Sequence, residues 1–194
     1  MLQEIQLGDI ASVQFGAHFQ PTAKGSVFYL QAKHFNAFHE FAGDVDTWLP
    51  PGKTGQNHLL KDGEVLLVGK GYRNFAWLYK SSVGPAVASS IFFVIKPRPD
   101  KVLPEFLVIL FNLQQTQQYF QTLGAGSSIP SIRKSELEAF PVMLPPVATQ
   151  QKLVDLHAMH ELDMRVSRQL ISQKQNLFES LAHKMIRGEI RTKI

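Results

Sequence analysis

The chain has 194 residues, of which 44% are hydrophobic and 19% charged, with a formal net charge of +4 and no cysteine. That length supports one sizeable core, the missing cysteines exclude disulfides and thiolate metal sites, and the longest apolar runs, such as Ile91–Ile95 and Phe106–Phe111, are too short to span a bilayer. No basic segment followed by an apolar stretch follows Met1, so a cytoplasmic, membrane-free location is expected, and the modest positive charge suits a polyanionic partner.

In chain order, short β-branched or aromatic runs bounded by turn residues predict strands at Val27–Leu30, Val65–Val68, Ala76–Tyr79, Ile91–Ile95 and Phe140–Leu144. Asp62-Gly63 marks a turn before the second of these. Pro104 opens a predicted helix in which Phe106, Leu110, Leu113 and Phe120 recur at helical spacing, and Gly124 stops it. From Val147 to Ile186 there is neither Pro nor Gly. There Leu153, Leu156, Met159, Leu162, Val166, Leu170, Leu177, Leu181 and Met185 fall at steps of three or four, with one gap at Gln173/Lys174. This is one apolar stripe on a polar rod. A helix of that length is about 60 Å long, against roughly 35 Å for a compact domain of this size. Such a rod is expected to project, and its stripe, from Leu156 to Leu181, needs a partner helix. Folding back as two shorter helices is disfavoured because no Gly or Pro makes the turn. Gly188 ends the pattern before a short basic tail, Arg191–Ile194. The expected fold is therefore α+β: a mixed-sheet domain over residues 1–146 and a long projecting C-terminal helix over 147–194.

Motifs that would carry catalysis fail on inspection. His39-Glu40 and His160-Glu161 lack the second histidine of a zinc-protease helix. His157 and His160 share a rod face without an evident third ligand, so no metal site is expected. Gly52-Lys53-Thr54 imitates the end of a phosphate-binding loop, but Thr47 stands where its first glycine belongs. Gly124-Ala125-Gly126 does not follow a strand. Leu144-Pro145-Pro146-Val147 resembles the Pro-Pro tetrapeptide of adenine methyltransferases but lacks its polar first and aromatic fourth residue. No Gly-x-Ser-x-Gly elbow is present.

Three polar or basic clusters interrupt the apolar framework instead: Gln31, Lys33, His34 and Asn36 after one strand; Lys70, Tyr72, Arg73 and Asn74 after another; and Ser127, Ser128, Arg133 and Lys134. Arg, Lys, Asn and Gln pair with base edges, while Ser and backbone N–H groups hold phosphates. Gly69 and Gly71 would let the second loop approach DNA closely. Each cluster alone reads as an ordinary polar loop; three on a basic chain without a catalytic set point to double-stranded DNA.

The order of several tracts resembles the specificity subunits of type I restriction–modification systems, in a half-length form with a single target-recognition domain. Leu7-Gly8-Asp9-Ile10-Ala11 resembles the family's opening motif, and Leu60–Leu67 its "leucine, basic, Gly-Asp-hydrophobic" strand, followed by the loop Gly69–Ala76. Leu103–Leu107 resembles the start of its mid-domain helix. Gly126–Ile132 and Leu137–Gln151 resemble its Gly-Ser loop, strand, Leu-Pro-Pro and the Gln that heads a long helix; Thr149 stands where the family usually has Glu. Ala182–Ile190 resembles its terminal signature. The resemblance implies a DNA-reading domain, a helix that sets the distance between half-sites, and a non-catalytic role. Its implied partners are an adenine methyltransferase (modification) subunit carrying S-adenosylmethionine and a restriction subunit, with no cofactor in this chain. Pairing of two rods through Leu156, Met159, Leu162, Val166, Leu170, Leu177 and Leu181 would make a homodimer. Two other readings stay open: a standalone DNA-binding regulator or decoy, and an enzyme with an unrecognised site.

Overall fold

The structure is a computed structural model and describes residues 3–50, 56–123 and 129–189. Gly52-Lys53-Thr54, Gly124-Ala125-Gly126, Ser127, Ser128 and the Arg191–Ile194 tail lie outside the described residues. The chain divides into two compact units, Met1–Lys152 and Leu153–Ile194.

The first unit is built on strands β1 (Gln3–Gln6), β2 (Ala11–Phe15), β3 (Phe28–Leu30), β4 (Val65–Val68), β5 (Ala76–Leu78), β6 (Ala86–Ala88) and β7 (Phe92–Pro97). Helices α1 (Pro104–Asn112), α2 (Gln114–Leu123) and α3 (Lys134–Glu138) follow, then strand β8 (Pro141–Leu144) and helix α4 (Val147–Ile186). The main sheet is antiparallel in the order β2-β7-β4-β5, β3 and β6 pair in parallel, and β1 and β8 pair antiparallel. The result is a mixed-sheet α+β domain followed by one long helix.

The two central strands explain why the sequence reads as it does. Leu66 opposes Val94 and Leu67 opposes Phe93, and Val65–Val68 and Phe92–Ile95 are buried throughout. A strand covered on both faces needs a continuous apolar run rather than an alternating one. The Asp62-Gly63 turn forms, with Gly63 at φ +82° and Asp62 Oδ1 accepting the Ser81 N–H at 2.7 Å. That hydrogen bond is the main reason the Asp62 carboxyl lies below the usual carboxylate range. Glu64, buried beside this turn, is compensated by Lys96 at 3.5 Å.

The single helix expected from Pro104 is two helices. Leu113 is extended at φ −62°, ψ 140°, and α2 restarts at Gln114. The cause lies on the sheet. Asn112 Oδ1 accepts the Ala76 N–H at 2.8 Å, and its Nδ2 donates to Ala76 O at 2.9 Å. Its amide thus occupies the open edge of β5, which would otherwise expose unpaired backbone groups, and fixes the end of α1 there. The Gln117 side chain then donates to the freed Phe111 carbonyl.

Helix α4 begins within the first unit. Gln150 is fully buried there: its Oε1 accepts the Leu103 N–H at 2.9 Å, and its Nε2 donates to Pro145 O at 2.9 Å and Lys101 O at 3.2 Å. At the far end Gly188, at φ +72°, closes a Schellman turn, with Gly188 N–H to Met185 O at 3.0 Å and Glu189 N–H to Lys184 O at 2.9 Å. No helix among the described residues is long and apolar enough to cross a membrane.

Candidate nucleic-acid interface

The first cluster follows β3 in a 3-10 turn, Ala32–His34. His34 is buried at 3% exposure, and its Nδ1 accepts the Gln31 N–H at 3.0 Å. The ring proton therefore sits on Nε2, which lies 3.0 Å from Asp46 Oδ1 and 3.3 Å from Thr47 Oγ1. Thr47 in turn donates to Tyr29 O at 2.7 Å. Lys33 Nζ meets Asp46 Oδ2 at 2.6 Å. The Lys33 hydrogen bond first, and the His34 one second, hold the Asp46 carboxyl down at about 2.

Beyond His34, the chain closes a tight finger between Phe35 and Phe41, which face each other in an antiparallel bridge. Asn36 ties it internally: Oδ1 accepts the N–H groups of Phe38 at 2.8 Å and Glu40 at 3.0 Å, and Nδ2 donates to Glu40 Oε2 at 2.8 Å. His39 adopts φ +64°, a left-handed conformation that needs support in a non-glycine residue. Its ring lies flat on Phe75, 4.8 Å between centroids and 7° from parallel. Burial first, and the Arg73 charge second, lower its pKa.

The second cluster forms the return from β4 to β5. Asn74 is 8% exposed, and its Nδ2 donates to Val68 O at 2.7 Å. Arg73 is exposed, with its guanidinium 5.7 Å from the Phe75 ring centre and one N–H donating to Asn36 O at 2.7 Å. Lys70 is exposed and Tyr72 is 77% exposed. The two glycines serve different ends. A Cβ at Gly69 would lie 2.3 Å from the Phe93 ring, so the core requires this glycine. Gly71 stands in open space at φ +105°, which a side chain would strain.

The third cluster lies against the second. Gly71 N–H donates to Pro130 O at 2.8 Å, Ile132 N–H to Gly69 O at 2.9 Å, and Lys70 bridges Ser131. Arg133 is exposed at the head of α3, where its N–H donates to Glu136 Oε2 at 2.8 Å; Lys134 lies 3.5 Å from Glu138.

Segments far apart in the chain are thus joined by direct bonds: Arg73 to Asn36 connects the first to the second, and the Gly69–Gly71 backbone connects the second to the third. Lys33, Lys70, Arg73 and Arg133 each reach solvent, with Gln31, Asn36 and Lys134 partly exposed. His34 and Asn74 do not. Their side chains are buried, and their hydrogen bonds to Gln31 N–H and Val68 O hold the loops in shape. Sequence reasoning passed over Phe38 and Phe75 and weighed His39 only as a metal-site motif, although the His39 ring stacks on Phe75 beside the first loop. The Asn36…Glu40 spacing was the one local signal of that turn. Among the described residues no group of three or more His, Asp or Glu side chains could hold a metal ion.

In the second unit, the expected stripe is exposed along its whole length: Leu156 58%, Met159 63%, Leu162 59%, Val166 55%, Leu170 49%, Leu177 61% and Leu181 43%. Ile171 and Phe178, one step after Leu170 and Leu177, are exposed as well and broaden it. His157 lies 3.8 Å from Glu161, one helical turn on.

Comparison with known proteins finds a matching family. The model described as "Type I restriction modification DNA specificity domain" matches residues 3–176. The chain is 33% identical over 100 residues to the type I restriction enzyme HindI specificity subunit of Haemophilus influenzae, an alignment covering 48% of this chain and 22% of that protein. A chain from a structure of the assembly and conformational transition of the type I R-M system superposes with TM-score 0.66 at 15% identity, covering 99% of this chain and 46% of that one. The S subunit from M. genitalium superposes with TM-score 0.61 at 14% identity, covering 95% and 45%. The HsdS subunit from Thermoanaerobacter tengcongensis gives 0.61 at 16%, covering 97% and 45%. The chain spans about half the length of these solved relatives, which share its fold.

Proposed function

The chain belongs to the type I restriction modification DNA specificity domain family, and from that premise we propose that residues 1–146 read one half of a bipartite double-stranded DNA site. The chain then directs an adenine methyltransferase subunit, which carries S-adenosylmethionine, and a restriction subunit to that site in the cytoplasm. Recognition is this chain's part; methyl transfer and cleavage fall to its partners.

The observation that carries the reading is the joining of three distant polar segments by direct hydrogen bonds. Exposed cations supply affinity for the phosphate backbone, and partly exposed amides can reach base edges. On this reading Lys70, Arg73 and Arg133 neutralise phosphates, with Lys33 and Lys134 weakened in that role by their carboxylate partners at 2.6 and 3.5 Å. Gln31, Asn36 and Tyr72 stand among them, and Ser127 and Ser128 belong to the same segment in sequence.

The rod, helix α4 over Val147–Ile186, is the spacer. Its uncovered apolar strip pairs with the strip of a second copy, antiparallel, so that two reading surfaces are held a fixed distance apart.

The test of the surface is the salt dependence of DNA binding by the full chain. Each lost phosphate contact should flatten the slope of log K against log salt by about one unit. The Lys70→Ala, Arg73→Ala double variant should therefore lose about two units of slope, relatively evenly across sequences. An unchanged slope removes this surface from the DNA contact.

A further inference from the structure

The same surface carries one feature that neither phosphate contact nor base-edge pairing uses. At the tip of the finger between Phe35 and Phe41, Phe38 is 57% exposed, following the exposed Ala37. It is an apolar end of a finger whose base meets the exposed cation Arg73 at Asn36 O. The backbone of this tip is fixed. The Phe38 and Glu40 N–H groups are fixed by Asn36 Oδ1, and the finger closes through Asn36 N–H to Glu40 O at 3.0 Å and His39 N–H to Asn36 O at 3.1 Å. The His39 ring rests on Phe75, and Arg73 grips Asn36 O. The acids of the loop are engaged from within: Glu40 by Asn36, and Asp46 by Lys33 and His34. A rigid apolar tip has little order left to lose on binding, and the Arg73 charge at the base of the finger favours a polyanion over a protein surface.

We infer that Phe38 is an intercalating wedge: its ring enters between two adjacent base pairs, unstacks them and kinks the duplex. Apolar side chains used this way exchange a stacking loss for a bent duplex that meets more protein surface. Because base steps differ in how easily they open, the wedge adds sequence selection at a step that no hydrogen bond reads. The inference rests on the DNA-reading role proposed above and adds to it a second source of specificity.

The experiment uses duplexes selected by the full chain from a randomised pool, with 2-aminopurine placed at successive steps of the selected site. Unstacking brightens this base. The wild-type chain should brighten one step in each half-site. Phe38→Ala should brighten none and bind on the order of tenfold more weakly, the scale of one lost base–aromatic stack. Phe38→Leu, which keeps an apolar tip, should retain part of the signal. Since Phe38 is exposed, its truncation leaves the core intact. On a duplex with an abasic site at the brightened step, the Phe38→Ala deficit should shrink to about twofold or less, because the stack is already broken. Selected duplexes that show no brightened step, or Phe38→Ala matching wild type in signal and affinity, sink the wedge and leave the DNA-reading surface standing. Failure to select any duplex sinks both. If Phe38→Ala binds and brightens duplex normally but no longer holds a modification subunit, the finger is a protein contact and the inference is wrong.

Discussion

Phe75 supports two side chains at once, the flat His39 ring at 4.8 Å and the Arg73 guanidinium at 5.7 Å. Their nearness makes the charge of one a term in the ionisation of the other. Burial disfavours the imidazolium, and Arg73 repels it, so the folded His39 pKa lies below the ordinary histidine value of about 6.5. Between those two values the unfolded chain binds more protons than the folded one. The contribution of neutral His39 to stability is thus complete above about pH 6.5 and is lost as pH falls toward the folded pKa. Asp46 behaves in the usual carboxylate sense: its contribution holds above the ordinary value of 3.8 and fades as pH falls toward about 2. Replacing Arg73 with Ala should raise the His39 pKa but leave it below the ordinary value, since burial is the larger cause. Proton NMR titration of the His39 ring reads this directly; an unmoved midpoint would show that Arg73 does not act on the ring. The same substitution removes one of the two donors to Asn36 O, leaving the His39 N–H at 3.1 Å, so loosening of the finger and loss of a charge proposed to face DNA arise together in this variant.

Among the elements, the head of α4 is held by a single side chain. Gln150 satisfies Leu103 N–H, Lys101 O and Pro145 O in a site with no exposure. It therefore ties the first turn of α4 to the residues that lead into α1. Truncation to Ala leaves buried polar groups without partners, each costing about 1–3 kcal/mol where water does not replace the lost bond. Gln150→Ala is expected to lower unfolding free energy by about 2 kcal/mol or more, read as a lower urea midpoint of the full chain. An unchanged midpoint would mean that water fills the site. The break between α1 and α2 has the same character. Local periodicity favours continuation past Leu113, but the Asn112 amide is engaged on the Ala76 backbone of β5, so an edge strand decides where the helix stops.

At the scale of the whole molecule, the proposal predicts an assembly and a symmetry. Fully burying one Leu contributes about 1.5–3 kcal/mol, so the strip from Leu156 to Leu181 provides ample driving force for a partner. The chain should sediment as a dimer at tens of micromolar, an easily reached weak-association range, and Leu162→Asp with Leu170→Asp should yield a monomer whose first unit stays folded. A monomeric wild type would count against self-pairing. A homodimer presents two identical reading surfaces about a two-fold axis, so its half-sites must be inverted repeats. With a rod of about 60 Å, the gap between them is at most roughly 17 base pairs. Methylome sequencing of cells that express the chain with a modification subunit should return a palindromic, interrupted adenine motif. An asymmetric motif would show that a different specificity chain supplies the second surface.

Sequence alone determined the features that repeat with the period of one element. The 3.6-residue stripe and the Pro- and Gly-free run specify the helix from Val147 to Ile186, and the unbroken apolar runs specify the central strands β4 and β7, because burial on one side or on both leaves a pattern within a few consecutive residues. β1, β2 and β6 leave no such mark: Gln3–Gln6 is mostly polar and becomes a strand only because β8 pairs with it. Three candidate loops were legible as polar, but not as neighbours. Their meeting depends on bonds between residues far apart in the chain, Arg73 to Asn36 and Gly69 to Ile132. Tertiary structure alone also decided which polar residues face outward: in His34 and Asn74 the same hydrogen-bonding capacity that suits a base edge instead satisfies buried backbone groups, Gln31 N–H and Val68 O, where leaving them unpaired would cost more.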